Sequence, residues 1–217
     1  MEPPFDISAD LDTPVSTYLK LAPLKPRYLL ESVEGGAYLA RYSFLGFGEV
    51  SDLRLDADGL HVAGQTRARP GSRAELLDAL RGALEETPRL SPALPDLPFT
   101  GGYVGIAAYD LVREFERLPN APEGLAVPAS PDAAYLATES LLVFDHLTRR
   151  IALLHAGDEA ERLKLRAEIV RLLRGAVPAA NGPGRVGEAA QSLSGDEYMR
   201  AVGRSKEYIA AGDIYQI

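Results

Sequence analysis

The residues able to do chemistry gather where short polar side chains interrupt apolar runs. In Leu29-Leu30-Glu31-Ser32-Val33-Glu34-Gly35-Gly36 an apolar run ends in a carboxylate and a hydroxyl, and Arg41-Tyr42-Ser43-Phe44-Leu45-Gly46-Phe47-Gly48 follows. Ser32 can donate and accept a hydrogen bond without filling space, and Glu31 can balance an ammonium group. Set beside Leu30 and Tyr42, these groups have the character that orients a small polar ligand in a mostly apolar site. The same residues can equally end a strand and solvate a turn, and the local pattern leaves both readings open.

Other chemistry is poorly supported. Gly101, Gly102 and Gly105 interrupt an apolar run, which implies that a backbone or a ligand comes close. They follow neither the dinucleotide nor the P-loop pattern, so no phosphate cradle is expected. His146 lies beside Asp145, but neighbours on an extended chain point to opposite faces, so the aspartate is not expected to orient the imidazole. His61, His146 and His155 lack metal-ligand spacing and there is no cysteine, so neither a metal site nor a disulfide is expected within the chain. The net charge of -8 and the lack of a basic stripe argue against a nucleic-acid partner. No apolar run is long enough for a membrane helix, and the acidic, proline-rich start is unlike a secretory signal. A cytoplasmic setting is the expectation.

The elements that must position the site follow from turn and cap signals. Thr13-Pro14 opens a helix with Val15, Tyr18 and Leu19 on its inner face, and Leu29 to Val33 forms a strand. Asp56-Ala57-Asp58-Gly59 turns a hairpin within 50–62. Ser72 and Glu75 have capping-box spacing before a helix at 73–86 carrying Leu76, Leu77, Leu80 and Leu84. Residues 88–98 form a proline-spaced loop, and 118–124 a turn-rich connector. Tyr135 to Phe144 and Ile151 to His155 are strands joined through Asp145-Arg150. A helix over 158–173 presents Leu163, Ala167, Val170 and Leu173 and ends at a left-handed Gly175. Residues 176–191 read as a linker, and Ser194 with Glu197 caps a further helix bearing Tyr198, Val202, Ser205 and Ile209. Gly212-Asp213 ends that helix and Ile214-Ile217 begins a strand with nothing after it to pair with. An open edge of that kind implies the N-terminal part of something longer, or a shortened form.

Four stretches, in order, resemble the large subunit (component I) of anthranilate synthase. They are Leu29–Gly36 with Arg41–Gly46; Gly101–Gly105 with Tyr109–Arg113 and Phe115-Glu116; Val143–His146; and Tyr208–Gln216. The resemblance implies an α+β fold, mainly antiparallel β-sheets with flanking helices. It implies a regulatory lobe over 1–175, a linker over 176–192 and, over 193–217, the start of a truncated chorismate-binding catalytic domain. It places L-tryptophan, as feedback inhibitor, against Ser32, with Glu31, Leu30 and Tyr42 beside it. An aromatic often follows the last glycine of the second stretch in that family; here Ile106 stands there and is given no ligand contact. The family's chorismate pocket and Mg²⁺ ligands lie downstream of these residues, so no catalytic residue and no metal ligand is expected in this chain, which alone would be inactive. The whole protein is expected to aminate chorismate and eliminate pyruvate, a carbon–oxygen lyase fed with ammonia by a glutamine amidotransferase partner (component II). Aminodeoxychorismate synthase component I, of folate synthesis, is the alternative within the family; a free-standing amino-acid-binding module and a structural β-rich domain lie outside it.

Overall fold

Two long strands organise the computed structural model, which describes residues 4–31, 41–118, 130–179, 182, 184 and 187–217. Strand β3 (Tyr42–Asp56) pairs antiparallel with β7 (Ala133–Asp145) along almost its whole length, from Tyr42 opposite Asp145 to Leu55 opposite Ala133. The unbroken buried runs Ser43–Phe47 and Ser140–Asp145 favour such pairing, because these stretches bury side chains on both faces. The register slips once, between Phe47 and Val50, and that bulge divides the sheet into two halves.

In the half nearer Tyr42, β2 (Pro26–Leu30) lies on the free side of β3, while β8 (Arg150–His155) and then β1 (Ile7–Ser8) extend the sheet beyond β7. In the other half β4 (Gly59–Val62) and β5 (Gln65–Arg67) follow β3, and β6 (Val104–Ala107) borders β7. All eight strands form one antiparallel sheet.

Helices cover two surfaces of this sheet and a loop covers a third. Helix α1 (Pro14–Lys20) and α3 (Glu159–Leu173) close one face of the first half over Leu45, Phe47, Leu142, Phe144, Ile151 and Leu153. The proline-spaced loop with Leu90, Leu94, Leu97 and Phe99 closes the opposite face over Phe44, Leu141, Val143 and Leu154. Helix α2 (Arg73–Glu85) packs Leu76 and Ala83 against Leu53, Leu55, Leu60 and Val62 in the second half.

The expected α+β class with mainly antiparallel sheet is what forms. The capping boxes at Thr13, Asp158 and Ser194 close with their partners three residues on. Several local expectations do not hold. Val15 and Leu19 of α1 are exposed while Pro14 and Thr17 are buried, because the helix meets the sheet through the turn that ends at Leu21. The Glu75 carboxylate accepts from the Gly71 amide instead of reaching Ser72, although Ser72 Oγ does accept from the Glu75 amide. On α3 Leu163 is exposed and the buried line runs through Ile169 and Leu173. Gly175 has no left-handed backbone, since Arg174 already caps the helix onto Leu172 and Val170.

Gly105 shows why its run carries glycine. A Cβ there would stand 2.6 Å from Tyr135 Cα and closer still to the Ala134 carbonyl oxygen, so the approaching group is the β7 backbone. The strand it belongs to is an edge with Ile106 73% exposed, not a core strand. Gly105→Val is expected to cost about 1–3 kcal/mol by overpacking. Amide exchange should then lose its protection at Val104–Ala107, and protection equal to wild type would show that β7 yields at no cost.

Residues Ala179–Ile217 form a second unit. Its helix α4 (Gly195–Ala211) ends on Gly212 in the left-handed conformation, and none of its residues is buried. Ile214–Ile217 is not a strand, and among the described residues none pairs with it. The connector expected at 118–124 and the Gly35-Gly36 break lie almost wholly outside the described residues.

Candidate functional site

Strand β2 delivers the first site residues. Its register sets Tyr28 against Gly46, Leu29 against Leu45 and Leu30 against Phe44. Leu29 therefore faces the α1/α3 core, and Leu30 faces the side closed by the proline-spaced loop. Leu30 and Glu31 are exposed at the end of the strand. Ser32, the residue on which the sequence reading rests most, lies outside the described residues.

Tyr42 opens β3 on the same side, half-buried, with its ring centroid 6.3 Å from that of Phe44. Phe44 in turn meets Phe99 edge to face at 5.4 Å. Beside Tyr42 a recess of about 200 Å³ is lined by Phe5, Tyr42, Leu94, Pro95, Asp96 and Leu97. An aromatic floor with one carboxylate at its rim can take a flat apolar group carrying a cation. The structure thus brings Leu30 and Tyr42 to one face of the β2–β3 pair, and adds Phe5 and the 94–97 segment, which the sequence reading assigned only to a loop. Their signal was faint: apolar residues spaced by Pro95 and Pro98, with no periodicity to mark a lining.

Arg41 holds the near end of this site. Its Nε and Nη2 donate to the two oxygens of Asp145 at 3.1 and 2.7 Å, and its guanidinium lies 4.9 Å above the Tyr42 ring. Asp145 also accepts from the amides of Leu147 and Thr148. Burial pushes the Asp145 carboxyl up, but Arg41 and the two amides outweigh that and hold it below the usual carboxylate range. Asp145 accordingly serves Arg41, not His146, as the strand geometry led one to expect. His146 Nε2 instead lies 2.7 Å from Ser43 Oγ, and His155 Nδ1 lies 2.9 Å from Ser140 Oγ, two cross-strand pairs that sequence reasoning missed. Both serines are buried in the sheet, so each pair satisfies polar atoms there.

A second recess of about 340 Å³ is bordered by Asp10, Asp12, Thr13, Asp145, His146 and Arg149. The Asp12 and Asp145 carboxylates are already engaged by Lys20 and Arg41, which leaves that recess less able to take a cation. Among the described residues no group of three or more His, Asp or Glu side chains could hold a metal ion. The described donor set does not fit magnesium, and no step through that ion is assigned to it. No described helix is long and apolar enough to cross a membrane.

Residues 25–217 match the family of chorismate binding enzymes. This chain belongs to that family. Among its relatives, anthranilate synthase component 1 of Thermus thermophilus is 41% identical, over 96% of this chain and 44% of its own length. The Pseudomonas aeruginosa protein of the same name is 34% identical, over 98% of this chain and 46% of its own length. The crystal structure of anthranilate synthase component I from Streptococcus pneumoniae superposes with a TM-score of 0.55 at 23% identity, over 95% of this chain and 45% of that one, which supports the fold. The chain therefore spans less than half the length of the relatives it matches. Membership of the chorismate-binding family agrees with the resemblance read from the four motifs.

Proposed function

We propose that this chain is the N-terminal portion of anthranilate synthase component I, which converts chorismate and ammonia to anthranilate and pyruvate in tryptophan biosynthesis. Its role there is to hold L-tryptophan as feedback inhibitor. The observation that carries the reading is the identity of 41% to such a protein over 96% of the chain. The geometry supports it: Tyr42 lines an apolar recess that carries one carboxylate, Asp96, and whose size suits an indole with an ammonium group, and Leu30 lies on the same face of the β2–β3 pair. In this reading residues 1–175, within the compact unit Met1–Pro178, are the regulatory lobe, 176–192 a linker and 193–217 the start of the catalytic domain. Chorismate, magnesium and the ammonia delivered by a glutamine amidotransferase are handled by residues beyond this chain.

Control is a coupling free energy between the two sites: tryptophan binds more tightly to the lobe arrangement that holds chorismate less well. The inhibitor's ammonium lies against Glu31, its polar groups meet Ser32, and the indole packs by Leu30 and Tyr42. Ser32→Ala in the intact protein is expected to raise the tryptophan concentration for half-inhibition by about ten-fold, the loss of a hydrogen bond to a charged group. Inhibition curves of the two proteins check it, and unchanged sensitivity removes Ser32 from the site. Residues 1–217 contain no tryptophan, so the fluorescence of added L-tryptophan reports binding to them without background.

A further inference from the structure

The end of β2 that carries Leu30 and Glu31 is held by one unusual contact. Arg27 is the extra residue of a bulge, since Pro26 opposes Phe47 while Tyr28 opposes Gly46. Its guanidinium Nε donates to the Gly48 carbonyl at 3.2 Å. Immediately after the bulge the Tyr28 ring lies flat on Gly46. A Cβ at position 46 would stand 2.6 Å from the Tyr28 hydroxyl and nearer still to Cζ and Cε1. The ring crosses β3 and reaches β7, where its hydroxyl lies 3.4 Å from Thr138 Oγ1. Thr138 spends its own proton on the Ser140 carbonyl at 3.0 Å, so Tyr28 is the donor. Burial raises the Tyr28 pKa, and the bond to Thr138 offsets part of that, so the phenol keeps its proton at neutral pH. One side chain thus ties β2 to β3 and β7 two residues before Leu30.

The geometry points to Tyr28 as the positioning residue for the tryptophan site, with Gly46 as the seat that lets its ring set where the Leu30–Glu31 end lies at the edge of the sheet. This inference rests on the reading that L-tryptophan binds there. Tyr28 itself does not line the recess. It acts through the strand. A side chain at position 46 pushes the ring away, and the edge strand β2 gives before β3, which the long β7 ladder holds on its other side. A displacement of about 1 Å is enough to lose alignment with a small ligand.

The test measures L-tryptophan affinity by titration calorimetry on the intact protein, in the wild type, Gly46→Ala, Tyr28→Ala, the double variant and Tyr28→Phe. Gly46→Ala and Tyr28→Ala are each expected to weaken binding about ten-fold, as for the loss of roughly one well-made contact. In the double variant the second change should cost less than about two-fold, because the three atoms nearest a Cβ at 46 all belong to the Tyr28 ring and leave with it; a purely additive result overturns the proposal. Tyr28→Phe keeps the ring on its seat and loses a single long hydrogen bond, so it should restore affinity to within about three-fold of wild type. A phenylalanine variant as weak as Tyr28→Ala overturns the seat argument, and it remains decisive if Gly46→Ala does not fold. The two failures are distinct. Wild-type protein that does not bind tryptophan removes the functional reading and this inference together; wild-type binding that Gly46→Ala and Tyr28→Ala leave within two-fold overturns the positioning role alone.

Discussion

Phe47→Ala will lower the stability of the sheet unit by about 3–5 kcal/mol, the cost of emptying a large buried aromatic site. Phe47 is 1% exposed and packs in the core between the sheet and the helices α1 and α3. Its environment cannot easily collapse. The residue lies at the last regular pair before the β3 bulge, opposite Ser140, with Pro26 of β2 across its other edge. Backbone on both sides is fixed, so the void persists and the lining loses its dispersion contacts. With a urea dependence of about 2 kcal/mol per molar, the unfolding midpoint followed by circular dichroism should fall by roughly 1.5–2.5 M. A fall under 0.5 M, by the same roughly estimated dependence, would mean that α1 or α3 slides in to fill the space. Tyr28 and Leu29 ride on the same β2–β3 ladder, so this variant also reports how far the core supports the ligand edge.

How much of this was legible in the sequence depends on whether the cause was local. Thr13 and Ser194 cap their helices as their positions imply, Ser194 with Glu197 three residues on, whereas the Ser72–Glu75 box, equally local, closes on one side only. The turns at Asp56–Gly59 and Asp145–Arg150 were equally local. What escaped is what only the ladder decides. Ser43 meets His146 across 103 positions, and Gly105 owes its size to Ala134 and Tyr135. Leu163 fits the helical period of α3 but points away, because a helix on a sheet buries a narrow line and the period alone does not say which one. For the site, the motif led to Leu30, Glu31 and Tyr42, and the β2–β3 register explains why residues twelve apart share a face. Phe5 and the 94–97 segment had no periodic signal, because an irregular chain closes that wall.

Asp145→Ala is the second large effect, and it separates charge from packing. The carboxylate is 4% exposed and accepts four hydrogen bonds, two from Arg41 and one each from the Leu147 and Thr148 amides. Removing it leaves a guanidinium and two amides without their acceptor. Arg41, whose side chain is 36% exposed, can partly rehydrate, so the expected loss at neutral pH is about 2–3 kcal/mol, below that for a fully buried pair. Acid discriminates the causes. The folded-state pKa of Asp145 is depressed, so its contribution is complete above the unfolded value of about 4 and is lost as pH falls through the folded value. The gap in urea midpoint between wild type and Asp145→Ala should therefore close as the pH is lowered below about 4. A gap that stays constant into acid would assign the loss to the hole left in the turn. The same substitution frees Arg41 from its place above Tyr42, whose ring lines the recess. Tryptophan affinity should fall with it, although Asp145 does not line the recess.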